Sequence, residues 1–231
     1  MLWNKLFFGI LVVSLGYGWL TLTGSVVRGV AHTAPFSPWS FGYYLSQALP
    51  LICLGELFFL AFFFSKEERL LRPLTQATSI RQRRYAALRC GAVLTATLLL
   101  CLCVAALAVG FYVSLFGWVD YGELILPALL TLIPPIVFCL GAGMMLSRFN
   151  HTLIYTLMAA VILLTVLPLP PAINFLSSRF FSQFPLTVEK LDPAFHVPGW
   201  LAVSKIALAF LGSTFTISSI NMQDYKLDKS K

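Results

Sequence analysis

The chain has 231 residues, 58% hydrophobic and 11% charged, with a mean hydropathy of +0.84 and a formal net charge of +7. So few charged residues cannot clothe a surface in water, which excludes a soluble globular protein and identifies an integral membrane protein. The positive balance sits in loops that meet phospholipid headgroups first, so membrane lipids are the expected electrostatic partner and nucleic acid is not.

Crossing about 30 Å of hydrocarbon as helix takes roughly 20 apolar residues. Windows of that kind predict spans at Leu6 to Val27, Leu45 to Ser65, Tyr85 to Leu115, Leu124 to Leu146, Leu153 to Leu169 and Trp200 to Ile220. The expected fold class is all-α: a polytopic membrane protein with six transmembrane helices, residues 1–231 forming a single transmembrane domain with no folded soluble part. The first apolar run exceeds the usual core of a cleaved signal peptide, so it is expected to stay as a signal anchor.

Sidedness follows from Lys and Arg near the membrane ends, which are retained on the cytoplasmic side. Lys5, the cluster from Lys66 to Arg89, Arg148, and Lys226, Lys229 and Lys231 define one side, and Arg28, Arg179 and Lys190 lie among acids on the other. Both termini are therefore expected in the cytoplasm, with the chain in the bacterial plasma membrane. Trp39, Tyr43, Tyr44, Trp118, Tyr121 and Trp200 are expected to form an aromatic belt at the external interface.

The second span carries Glu56 near its middle, where an ionised side chain demands a partner, water or loss of its charge. It is the first candidate for a transport pathway, with hydrogen bonding between helices as the plain structural alternative. Lys205, about 8 Å below the external end of the last span by helix rise, is expected to snorkel outward, with a Glu56–Lys205 ion pair as the alternative. Cys53, Cys101, Cys103 and Cys139 fall inside spans and Cys90 near the cytoplasmic face, so a disulfide framework and a metal site are not expected.

Between the second and third spans lies FFFSKEERLLRPLTQATSIRQRRYAALR, residues 62–89, with seven of the sixteen Lys and Arg. Pro73 suits the first position of a short helix, and Leu70, Leu71, Leu74 and Ala77 supply apolar residues at near-helical spacing. Ser79 and Gln82 have the spacing of a capping box that would start the third span. Residues 66–84 thus read as a structured cytoplasmic elbow. On the opposite side, Pro134-Pro135 should kink the fourth span and Pro168, Pro170 and Pro171 should end the fifth. The long external loop, 170–199, clusters Phe175, Phe180, Phe181 and Phe184 and is expected to lie in the interface or to dip inward as a re-entrant element surrounded by protein.

The elbow resembles the corresponding connection in ABC transporter permeases of the type-2 exporter class. There the second span ends in Ser and an acidic residue, passes through a Leu-rich coupling helix to an Ala-Thr-Pro-like turn, and enters the third span with basic residues and Tyr. Ser65, Glu67, Glu68, Leu70, Leu71, Leu74, Ala77, Thr78, Arg81, Arg83, Arg84, Tyr85 and Arg89 stand at those places. Arg72-Pro73 replaces the family's frequent Gly-Thr, and Ser79 its usual Pro. The resemblance implies docking to a separate ATP-binding subunit through Glu67, Glu68, Arg69, Leu70, Leu71, Leu74, Ala77, Thr78 and Arg81. It implies pairing with a second copy or a related permease, and export of an amphipathic or hydrophobic substrate. No cofactor would bind this chain, ATP and Mg being held by the partner subunit; no phosphate-cradling G-x-x-x-x-G-K-[ST] loop is present.

Two other readings use the same residues. Glu67-Glu68-Arg69-Leu70-Leu71-Arg72 matches the E-E-x-x-x-R signature of intramembrane CAAX-type proteases, but His32, His151 and His196 do not follow that pattern. An accessory protein that scaffolds a partner complex could present an elbow of the same kind. The expectation is a transport subunit without an enzymatic site of its own.

Overall fold

Hydrocarbon offers no partner for backbone N–H and C=O groups, so apolar runs of this length satisfy them internally as helices. The computed structural model describes residues 5–63, 82–150, 152–167, 175–188 and 192–228. Its helices are α1 (Lys5–Gly24), α2 (Pro38–Phe63), α3 (Gln82–Phe116), α4 (Gly122–Phe149), α5 (Thr152–Val166), α6 (Ser178–Gln183) and α7 (Gly199–Asp228), with 3-10 turns at Val26–Arg28 and Pro185–Val188. The described residues contain no strand. Five of these helices, α1 to α4 and α7, are long and apolar enough to cross a membrane. The fifth predicted span appears as α5, 15 residues, which rises only about 22 Å; the rest of that predicted span, 168–169, lies outside the described residues.

The long helices alternate in direction. Tyr44 reaches Val104 near the outer end of α2, while Gly55 meets Leu100 deeper in the bundle, so α2 and α3 run antiparallel. Connections 25–37, 117–121, 175–188 and 192–198 gather at one pole: Phe36 lies against Phe116, and the Asp192 N–H donates to His32 O at 3.4 Å. The other pole holds the start of α1, where Phe7 stacks on Phe59, and the inner end of α4, where Arg148 Nη1 donates to Ser219 O of α7 at 2.9 Å.

The most enclosed helix is α2, with 67% of its most apolar stretch buried against 22% for α1 and 17% for α7. It begins at Pro38, seven residues before the predicted Leu45, because proline is suited to the first helical turn and the aromatics that follow face protein. Trp39 and Tyr44 are wholly buried, so neither belongs to an interfacial belt. The Trp39 indole N–H donates to Pro193 O at 2.8 Å, and the Tyr44 hydroxyl donates to Val104 O at 3.0 Å. Tyr121 and Trp200 remain exposed, as anchoring residues would be.

Lipid tails are as apolar as Leu, so helices in a membrane associate through close packing rather than by escaping water. The α4–α7 crossing is built that way. A Cβ on Gly141 would overlap the Gly212 carbonyl oxygen, and one on Gly212 would overlap Val137 O and the backbone of Phe138. Pro127, Pro134 and Pro135 all lie inside α4, which continues through them as one helix.

Of the loop from Pro170 to Gly199, residues 175–188 and 192–198 are described, and they pack on the helices. Phe175 packs edge-on against Phe138, ring centroids 5.8 Å apart, and Phe138 lies sixteen residues beyond Gly122, about 24 Å along α4 by helix rise. The chain at Phe175 therefore enters the bundle, then climbs through α6, whose Phe180 and Phe181 are wholly buried. Protein packs around this stretch, the condition that a re-entrant course would require. Trp39 caps it, with Phe180, Phe184 and Phe195 at 5.5, 5.7 and 4.9 Å between ring centroids.

Candidate functional site

Ionisable groups buried at membrane depth mark where a membrane protein does something other than pack, and Glu56 is the foremost of them here. It lies eighteen residues beyond Pro38 and seven before the end of α2, nearer the pole of α1's start than the middle of the helix. The displacement from the expected midpoint follows from the early start at Pro38. Its side chain is 0% exposed, and neither carboxyl oxygen has a hydrogen-bond partner.

Cys53 stands one turn earlier on the same helix face, and Cys101 of α3 and Cys139 of α4 are buried in the same bundle core. The Cys53 and Cys139 side chains also contact each other in hydrogen-bond fashion. Ile52, Leu57 and Leu100 are likewise buried in that core. All five cysteines are free, and no group of three or more metal-ligating side chains forms among the described residues. The spacing of Cys53 and Glu56 was visible in the sequence. The approach of Cys139 was not, because it comes from a helix 83 residues away along the chain.

Lys205 is placed differently from both expectations. It is 4% exposed, so it does not snorkel, and its ammonium donates to Phe175 O at 2.9 Å. No Glu56–Lys205 ion pair forms: the carboxylate has no partner, and the ammonium is turned to the backbone at Phe175. Lys205 supplies a donor to a carbonyl that no helix or strand would satisfy at that depth. The signal that could have revealed this was the proline-rich run before Phe175, which removes regular hydrogen bonding from the loop.

Three further buried hydroxyls, Ser14, Tyr112 and Ser177, have no hydrogen-bond partner. At the outer pole, Pro38, Glu123, Leu126, Asp192, Pro193 and Phe195 line an open recess of about 420 Å³. One of its carboxylates is already engaged, Asp192 Oδ1 accepting the Ala34 N–H at 3.1 Å. The residues expected to dock an ATP-binding subunit, Glu67, Glu68, Arg69, Leu70, Leu71, Leu74, Ala77, Thr78 and Arg81, lie outside the described residues, as does the Ser79 of the capping box.

The class that the fold defines is a helical, membrane-embedded protein with a buried carboxyl in its bundle. Comparison with protein-family models, curated proteins and solved structures gives no match to this chain.

Proposed function

We propose that the chain is the membrane-spanning half of an ATP-driven exporter, an ABC transporter permease subunit of the plasma membrane, working with a separate ATP-binding subunit and a second permease. The observation that carries this reading is the basic, Leu-rich sequence from Ser65 to Arg89 between two membrane-spanning helices. Helices α2 and α3 flank that segment at one pole and pack on each other, so a push on the elbow would reach both. The enclosed position of α2 then passes such a push to α1, α3 and α4, which all pack on it. The permease itself contributes no ATPase chemistry; ATP and Mg belong to the partner. The cargo is an amphipathic or hydrophobic molecule, moved outward as in the exporters that the elbow resembles.

Co-purification of the tagged chain from its native membranes in mild detergent tests this reading. The expected result is recovery of an ATP-binding subunit with ATPase activity, and its loss when Leu70, Leu71 and Leu74 are all changed to Asp in a chain that still inserts. Recovery of the wild-type chain with no ATP-binding protein would overturn it.

A further inference from the structure

We infer that residues 175–188 form a hatch, a unit that opens on its own from the outer pole of an otherwise closed bundle, with Gly42 as its seat and Lys205 as its latch. The inference goes beyond the exporter reading, in which the hatch is the outward exit, and does not depend on it.

Contacts from α2, α4 and α7 hold the segment where it lies. The Phe181 ring rests directly on Gly42 of α2, where a Cβ would overlap it. Phe180 and Phe184 pack on Trp39 of α2, Phe180 meets Trp200 of α7 with ring centroids 6.0 Å apart, and Phe175 meets Phe138 of α4. Trp39, Phe180, Phe181 and Leu201 thereby make a buried cluster separate from the main core of the bundle. At the deep end of the segment, the Lys205 ammonium donates to Phe175 O at 2.9 Å.

The segment differs from the helices around it in how little it can hold itself in place. Its helix, α6, has six residues, short of the roughly twelve that a helix needs to persist without tertiary support. The N–H groups of Phe181, Phe184 and Thr187 all donate within the segment, so these bonds do not fasten it to the bundle. Ser177, at the start of α6, adopts the left-handed conformation with φ of 60°, which is unfavourable for a residue with a Cβ. Its hydroxyl is wholly buried and has no partner. A strained backbone and an unsatisfied buried group both raise the energy of the closed state. The helices it leans on, α2 and α4, have 26 and 28 residues and hold their own backbone. Local opening begins in segments with the fewest such supports.

Two residues outside the segment therefore set how often it opens. Removing the Lys205 donor leaves Phe175 O buried and unpaired, and a Cβ on Gly42 pushes the Phe181 ring from its seat.

The test uses the purified full-length chain in lipid nanodiscs, with its five native cysteines replaced and a hydrophilic maleimide as probe. Ser177→Cys and Ser40→Cys each place a thiol at a wholly buried position, the second of them at the outer end of α2. The expected result is labelling of Ser177→Cys about tenfold or more faster than of Ser40→Cys. Adding Lys205→Met or Gly42→Ala speeds labelling at Ser177→Cys alone by about a further tenfold, the scale of one lost charged hydrogen bond. Lys205→Gln, which keeps a donor for Phe175 O, stays near the parent rate. Labelling of Ser177→Cys no faster than of Ser40→Cys, no acceleration by Lys205→Met and Gly42→Ala, or equal acceleration at both positions would overturn the inference. Should Ser177→Cys fail to fold, hydrogen exchange of the unsubstituted chain decides. The Phe181, Phe184 and Thr187 amides then exchange together and faster than the buried amides of α2 and α4, and equal rates overturn the inference. Neither assay contains an ATP-binding subunit, so the outcome is independent of the co-purification result.

Discussion

At the scale of single residues, the bundle separates side chains that anchor a protein in lipid from those that hold it together, and Trp39 shows the difference. Its indole is clasped by Phe180, Phe184 and Phe195 and donates to Pro193 O. Trp39→Ala should therefore lower stability in detergent by about 3–5 kcal/mol, the usual loss for a buried Trp. Trp39→Phe keeps a ring and loses mainly the hydrogen bond, about 1 kcal/mol. Thermal unfolding of the two variants checks this, and equal losses would return Trp39 to the interface. Lys205 allows a similar comparison: Lys205→Gln should unfold closer to wild type than Lys205→Met, by about 1 kcal/mol, because only Gln can still donate to Phe175 O. A Met variant as stable as the Gln variant would remove the ammonium's role in holding the segment at Phe175.

At the scale of helices, what matters is how close two backbones come. The α4–α7 crossing at Gly141 and Gly212 leaves no room for a side chain, and backbone on the far side cannot rotate away as a flexible side chain would. Gly212→Val should cost about 1–3 kcal/mol or more, read as a lower unfolding temperature. Gly110 of α3 meets nothing within 4 Å, so Gly110→Ala should instead stabilise by about 0.5–1 kcal/mol by removing backbone freedom from the unfolded chain. If both substitutions behave alike, the crossing is not the close contact described. The two glycines look identical in the sequence; only the neighbour distinguishes them.

At the scale of the whole molecule, the helices sort their connections between two poles, and the charge asymmetry predicts which pole faces the cytoplasm. In a variant whose native cysteines are replaced, Asp120→Cys and Leu186→Cys should react with an impermeant maleimide added to intact cells. Arg84→Cys and Asn150→Cys should react only after permeabilisation. The reverse pattern would invert the protein and place the Ser65 to Arg89 elbow beyond the reach of any cytoplasmic ATP-binding subunit.

The sequence by itself determined the class and most of the helices, because hydrocarbon tolerates few backbone solutions and a run of about 20 apolar residues has one of them. It also singled out Glu56 and Lys205, since a charge among apolar neighbours is visible without knowing the fold. It could not say where those charges point. The unpartnered state of Glu56 and the turn of Lys205 toward Phe175 O are set by contacts between segments distant in the chain. The burial of Trp39 and Tyr44 was hidden for the same reason: an aromatic residue reads alike at a lipid interface and in a packed core until its neighbours are known. Within a membrane, composition chooses helix over every alternative, while packing alone chooses the side of each helix that meets protein and the side that meets lipid.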